Sequence, residues 1–249
     1  VSRPFANKNL RFYLTSPAAC PYLPGRRERK VFTALDGPDA VSMNDSLTHA
    51  GFRRSQNIAY RPACETCDSC ISARVVADQF APHRRWRKVI HRNADLDPRL
   101  TSGQATEEQF WLLRRYLLSR HGVGGMADMT LLDYAAMVEE TSVQTHIVEY
   151  RYKSGPHAGE LAACALTDIL RDGLSLVYSF FDTGDERRSM GAFVILDHIL
   201  RAQRAGLPHV YLGYWVPGSQ KMAYKAQFRP LEILRAGAWR PIETVFPDA

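Results

Sequence analysis

From residue 105 onward the apolar positions fall into helical and extended periods in turn. Thr106-Glu-Glu-Gln109 has the spacing of a capping box, and Phe110, Leu113, Leu117 and Leu118 follow at intervals that share one side of a helix. The pattern predicts a second helix over 130–140 and then three strands, 143–152, 159–170 and 174–181. Their links, Lys153-Ser-Gly155-Pro156 and Arg171-Asp-Gly173, are short and contain glycine, which predicts an antiparallel meander. A helix over 189–205 comes next, apolar at Phe193, Leu196, Ile199 and Leu200 and punctuated by Gly206 and Pro208. A strand at 209–214, a short helix at 219–226 and a strand at 231–234 complete the reading. No internal repeat or low-complexity tract interrupts it.

Ahead of this region the pattern is less regular, with Leu47 in a predicted helix that ends at Gly51. The clearest boundary lies at 93–104, where a basic stretch gives way to Asp95-Leu-Asp97-Pro98 and then Thr101-Ser-Gly103. It divides the chain into a basic N-terminal domain, 1–100, and an α/β (α+β) domain, 101–249. A length of 249 residues suits one large domain or two fused ones. The 45% hydrophobic and 23% charged fractions supply an ordinary globular core and exclude collagen, low-complexity disorder and a coiled coil. No apolar run approaches the ~18–20 residues of a membrane helix. Residues 1–10, with Arg3, Asn7 and Lys8, lack a signal-peptide core, so a soluble, cytoplasmic protein is expected.

Charge changes this picture more than composition does. Residues 1–92 hold 16 Lys/Arg against 7 Asp/Glu, whereas the remainder holds 16 against 19. Of the 32 basic residues, 26 are Arg, whose planar fork pairs bidentately with phosphate and carboxylate. A GC-rich genome would account for the Arg/Lys ratio but not for the excess in the first third. A polyanion-binding face is expected there.

Cysteines are equally lopsided. Cys64-Glu-Thr-Cys67-Asp-Ser-Cys70 is a C-x2-C-x2-C run in which three thiolates can converge on one ion, with Cys20 a candidate fourth ligand after a long loop. The candidates are a zinc ion or an iron–sulfur cluster, structural or regulatory in role; the alternative is three reduced thiols in a tight turn. Cys164, within an apolar stretch, is expected to be a buried core thiol.

The order of three strands, a helix, a strand, a helix and a strand resembles the N-acetyltransferase-like α/β fold. Arg188-Ser-Met-Gly191 resembles the pyrophosphate-binding turn of that superfamily, where backbone amides at a helix start favour an anion. Phe193 stands where the superfamily has Gly or Ala, and a bulky ring there is expected to obstruct the pyrophosphate of coenzyme A. Fold alone does not fix function.

A second resemblance spans about residues 10–240. Cys20-Pro-Tyr-Leu-Pro-Gly-Arg26, Gly51-Phe-Arg-Arg-Ser55 and Tyr60-Arg-Pro62 lie in the N-terminal part. Tyr178-Ser-Phe-Phe-Asp182, Arg187-Arg-Ser189, Ile195-Leu-Asp-His198, Tyr211-Leu-Gly-Tyr-Trp-Val216 and Lys221-Met-Ala-Tyr-Lys225 lie in the C-terminal part. Together they resemble the bacterial aminoacyl-tRNA–protein transferases, mostly aspartate/glutamate leucyltransferases, which are relatives of eukaryotic arginyl-tRNA–protein transferase. Ser72 stands where the family often has Pro and Gln56 where it often has Gly, both read as loop positions.

The resemblance implies transfer of an amino acid, leucine or alternatively arginine, from charged tRNA to the N-terminal Asp or Glu of an acceptor protein. An N-degron results; an adaptor and protease would act only downstream, and no membrane is involved. An α-amine has an ordinary pKa near ~7.7–8.0, so it must shed a proton before attacking. The aminoacyl ester is already activated, so transfer needs no ATP or coenzyme. The site must accept a proton, stabilise the oxyanion and release the tRNA 3′ oxygen.

Asp182 is the candidate to orient or deprotonate the amine, against the alternative of a turn cap, with Tyr178 beside it. Tyr178, Tyr214 and Trp215 are candidates to line an aminoacyl or adenine pocket, with Ser189 at the helix entry. Arg53 or Arg54 is the candidate reader of the acceptor carboxylate. Arg84, Arg85 and Arg87, around Trp86, and the Lys221, Lys225 and Arg229 cluster are candidate tRNA contacts; a solvated face is the alternative for each. Two other function classes remain open: a coenzyme A-dependent N-acetyltransferase, and a non-enzymatic zinc-containing nucleic-acid-binding protein.

Overall fold

A computed structural model describes residues 10–121 and 128–247. Positions 1–9, on which the signal-peptide reading rests, lie outside the described residues. In chain order the elements are β1 (Tyr13–Leu14), β2 (Ala18–Ala19), β3 (Arg27–Glu28), β4 (Lys30–Ala34), α1 (Ala40–His49), β5 (Arg53–Ser55), β6 (Ile58–Pro62), β7 (Ile71–Val76), α2 (Arg84–Arg92) and β8 (Leu96–Thr101). They continue with α3 (Glu107–His121), α4 (Leu131–Glu139), β9 (Thr145–Tyr152), β10 (Leu161–Leu170), β11 (Gly173–Phe181), α5 (Met190–Arg204), β12 (His209–Trp215), α6 (Gln220–Ala223), β13 (Leu231–Arg235), β14 (Ala238–Pro241) and α7 (Ile242–Val245).

An eight-stranded mixed sheet, ordered β14-β13-β7-β12-β11-β10-β9-β8, forms the centre of the molecule. The expected meander is β9–β10–β11, antiparallel throughout, and α5 returns the chain so that β12 lies parallel to β11. Helices cover both faces, which is why β10 is apolar or buried along almost its whole length rather than alternating. On one face Trp86 of α2 and Phe193, Leu196 and Ile199 of α5 pack over Ile71, Val75, Leu212 and Ile233. On the other, Leu113 and Leu117 of α3 and Tyr134 and Val138 of α4 pack over Ile147, Leu166 and Phe180, with Cys164 the buried thiol expected from its sequence. Thr106 and Gln109 exchange the capping bonds that their spacing predicts, and the structure adds a second box, Thr130 with Asp133, at the start of α4. Among the described residues no helix is long and apolar enough to cross a membrane.

The division expected near residue 100 does not coincide with a division between sheets. β7, from the basic part of the chain, lies between β13 and β12 in the middle of the large sheet, and β8 forms its far edge. β1, β4, β6 and β5 make a separate small sheet, packed with α1 around Leu35, Leu47, Phe52 and Ala59, and β2 pairs with β3 in a two-stranded one. Ser72 is consequently not a loop residue: it sits in β7 opposite Tyr214 and donates its hydroxyl to the Gly51 carbonyl at 2.9 Å. Gln56 is in the β5–β6 turn at φ 49°, a left-handed conformation that glycine adopts more easily.

Two features tie the small sheet to the large one. The first is Arg54, buried, whose guanidinium grips Asp168 of β10 through two bonds of 2.6 and 2.7 Å. Thr145 donates to the same carboxylate at 2.7 Å, and the Gln56 carbonyl takes a further Arg54 N–H. The second is Asp172, which receives His49 of α1, His209 of β12 and Tyr211. Burial pushes that carboxyl up, but the bonds from His209 and His49 more than reverse the effect and hold it well below the usual carboxylate range. Removing one member of a buried ion pair strands the other. Asp168→Ala should therefore lose about 3–5 kcal/mol of unfolding free energy in urea titration, and the Arg54→Met/Asp168→Leu double variant markedly less.

Candidate active site

Strands β11 and β12 pair over only three positions, Gly173 to Ser175 against His209 to Tyr211. Beyond them the strands part. On the β12 side the register against β7 shifts between Tyr211 and Gly213, and Gly213 lies at φ 71°. The result is a wedge between two strands whose inward carbonyls have no strand partner.

Side chains fill that deficit. Because successive residues of a strand point to opposite faces, Arg53 of β5 turns away from its buried neighbour Arg54 and reaches the wedge. Its guanidinium donates to the Val177 carbonyl of β11 at 2.9 Å and lies 5.7 Å from the Tyr214 ring centre. A Cβ at position 213 would collide with this guanidinium, so glycine is required there by space as well as by φ. Among the described residues no carboxylate of the chain pairs with Arg53. On the opposite bank Lys225, only 5% exposed, donates to the Leu212 and Tyr214 carbonyls at 2.8 and 2.6 Å.

Tyrosines surround this pair. Tyr214 donates its hydroxyl to the Tyr60 carbonyl at 3.0 Å, and Tyr22, Tyr60 and Arg53 all lie within electrostatic reach of it. Tyr178 of β11 neighbours Tyr116, which packs on Phe181 at 4.9 Å between ring centres. Burial pushes the Tyr22, Tyr116, Tyr178 and Tyr214 hydroxyls up, so all are uncharged at neutral pH.

Over residues 18–88 the chain matches the N-terminal region, and over 108–235 the C-terminal region, described as arginine-tRNA-protein transferase. The chain belongs to that family. An aspartate/glutamate leucyltransferase of Caulobacter vibrioides is 61% identical over 96% of this chain and 86% of its own. Another, from Phenylobacterium zucineum, is 59% identical over 96% and 93%. The C-terminal domain of a putative lysylphosphatidylglycerol synthetase from Agrobacterium fabrum superposes at a TM-score of 0.49, with 15% identity over 84% of this chain and 65% of that one. The wedge lies where the two matched regions meet: Arg53 comes from the first, and Val177, Gly213 and Lys225 from the second.

Several residues expected at the site stand elsewhere. Arg54 is committed to Asp168 and is not free to read an acceptor. Trp215 alternates inward from Tyr214 and packs edge-on against Phe246 in the core. Lys225 is buried rather than on a tRNA-facing side. The chain tightens from α6 into a 3₁₀ turn at Tyr224–Gln227, which removes the common face that spacings of four predicted for Lys221, Lys225 and Arg229. Lys221 remains exposed; Arg229, also exposed, lies 3.8 Å from Glu243 and donates to the Ala226 carbonyl. Asp182 is exposed and accepts the Gly184 amide at 3.0 Å, the turn-capping alternative. Ser189 is exposed at φ 51° before α5, with no side-chain capping bond. Phe193 packs against Tyr150 at 5.7 Å, so its ring is turned into the core and the obstruction expected from it does not arise.

Helix α2 divides as its sequence predicts, with one correction. Arg84, Arg85, Arg87 and Lys88 are exposed, but Trp86 is buried and stacked on Phe228 at 4.6 Å, so no base can stack on it.

Cys20, Cys64, Cys67 and Cys70 do gather beside the wedge, near enough for the other three to act electrostatically on Cys70, which itself lies close to Tyr22 and Tyr214. Among the described residues, however, no group of three or more Cys, His, Asp or Glu is arranged to hold a metal ion, so the thiols as placed do not fit one. They differ in reactivity instead. Burial and the neighbouring thiols raise Cys70 to about 12, whereas hydrogen bonds from Ser69 lower Cys67. Since the thiolate is the nucleophile, iodoacetamide at pH ~7.5 should label Cys67 well before Cys70 or the buried Cys164, as peptide mapping over time would show.

Proposed function

We propose that this chain transfers leucine from charged tRNA to the N-terminal Asp or Glu of acceptor proteins, and that the wedge is where the ester and the α-amine meet. Membership of the family and the names of the closely similar relatives support the reaction class. The observation that carries the acceptor is Arg53, a half-buried guanidinium at the wedge with no carboxylate of its own chain, among the described residues, to satisfy it. Its planar fork matches a carboxylate, and burial makes an unmatched ligand costly.

In this reading the acceptor's acidic side chain pairs with Arg53 and brings its α-amine to the wedge. The uncharged tyrosines around it, Tyr178 and Tyr214 among them, form a wall for the leucyl group and the terminal nucleotide. The exposed basic face of α2, with Lys221 on α6, holds the tRNA backbone.

The deciding experiment mixes leucyl-tRNA and arginyl-tRNA with peptides that begin Asp, Glu, Lys or Ala and identifies extended products by mass. Leucine added to the Asp and Glu peptides alone is expected; arginine added in its place would change the donor, and extension of the Lys or Ala peptide would remove Arg53 from specificity. Arg53→Ala should lower transfer to acidic peptides about ten- to hundredfold while leaving tRNA affinity intact, because a charge-assisted hydrogen bond is worth about 1.5–3 kcal/mol.

The tRNA surface has its own test. Replacing Arg84 and Lys88 with Ala should weaken binding of charged and uncharged tRNA alike. The slope of log affinity against log salt should shrink by about 0.7–0.9 for each phosphate that the variant no longer neutralises. An unchanged slope would return α2 to a solvated face.

A further inference from the structure

The bonds of Lys225 to the β12 carbonyls account for a donor at its position, but neither they nor tRNA binding account for a buried ionisable amine there. It has no carboxylate partner among the described residues, and the charge whose field reaches it is the like charge of Arg53. The groups around the wedge offer no compensation. Tyr22 and Tyr214 are neutral, Cys70 is pushed up to about 12, and Glu28, beside Tyr22 and Cys70, is already paired with Lys30 at 2.9 Å. Desolvation first and Arg53 second press the Lys225 pKa well below its ordinary value. An uncharged amine has two N–H bonds and one lone pair. Here the carbonyls of Leu212 and Tyr214 take two donated bonds, so in the free-base form the position left on Nζ is the lone pair.

We propose that Lys225 is the proton acceptor of the transfer reaction, its buried ε-amine held on the β12 bank of the wedge by the Leu212 and Tyr214 carbonyls, where it can take the proton that the acceptor's α-ammonium has to lose. This rests on the aminoacyl-transfer reading above. Lys225 takes one proton from the α-ammonium, directly or through one water. The freed nitrogen lone pair then forms the C–N bond to the leucyl carbonyl carbon. The C–O bond to the tRNA 3′ oxygen breaks, and that oxygen leaves with the second amine proton. Lys225 afterwards returns its proton to solvent, so charge and atoms balance with no added reactant. A positioned base of this kind contributes typically about 10²–10⁴-fold.

The test compares two nucleophiles in single-turnover assays with leucyl-tRNA. One is a peptide beginning with Asp; the other is the same peptide with an aminooxy group in place of the α-amine, which is uncharged at neutral pH and needs no prior deprotonation. Lys225→Met should slow transfer to the Asp peptide about a hundredfold or more and transfer to the aminooxy peptide less than about threefold. Lys225→Arg keeps hydrogen-bond donors for the two carbonyls but stays protonated and has no lone pair to offer near neutrality, and it should show the same contrast; it serves if the Met variant does not fold. Equal losses on both nucleophiles, or full activity of either folded variant on the Asp peptide, would overturn the proposal and leave Lys225 as a tie between backbone carbonyls. Failure of the wild-type protein to use leucyl-tRNA with either peptide would instead overturn the transfer reading beneath it.

Discussion

Two parallel strands that pair over three positions and then separate leave backbone carbonyls facing a gap. A carbonyl buried without a donor costs about 1–3 kcal/mol, so the gap persists only if side chains supply donors. Arg53 serves the β11 bank and Lys225 the β12 bank. Neither comes from the strands that part: Arg53 arrives from the small sheet and Lys225 from the turn after α6. The wedge therefore exists only when both halves of the chain are assembled around it, and Gly213 is the backbone position that lets the guanidinium lie so close.

Much of the architecture was legible in the sequence because it is encoded locally. The capping residue Thr106, the helix that starts at Thr130, the meander of three strands and the glycine at the end of α5 each depend on a few residues, and the structure places them within one or two positions of the expectation. What was hidden is non-local. Ile71–Val76 has the apolar and β-branched content of a strand, but its place between β12 and β13 depends on chain far away in sequence. Arg54 and Asp168 are 114 positions apart, so nothing in the Arg53-Arg54 pair told which arginine was already committed.

Spacing misled where the backbone changed its period. Lys221, Lys225 and Arg229 repeat every four residues and would line one side of a regular α-helix. The 3₁₀ turn rotates Lys225 inward, against the strand whose carbonyls needed donors. Trp86 and Trp215 misled for a different reason: an aromatic between charged or polar neighbours reads equally well as a base-stacking platform or as the buried side of an amphipathic element. In both cases burial won, because a ring of that size removes more apolar area from water than any other residue at its position.

The two wedge cations also connect specificity with chemistry. An acceptor brings a positively charged α-ammonium into a region where Arg53 already repels positive charge and adds to burial in lowering the affinity of Lys225 for a proton. A Lys or Ala terminus adds charge there and offers nothing to Arg53. An Asp or Glu terminus carries its own counter-charge. Paired with Arg53, that carboxylate cancels the field acting on Lys225 and raises its affinity for a proton at the moment when the α-ammonium must give one up. The same carboxylate that secures binding thus strengthens the base, and a non-acidic acceptor that did enter would meet a weaker one. Discrimination in kcat, and not in KM alone, follows from that coupling.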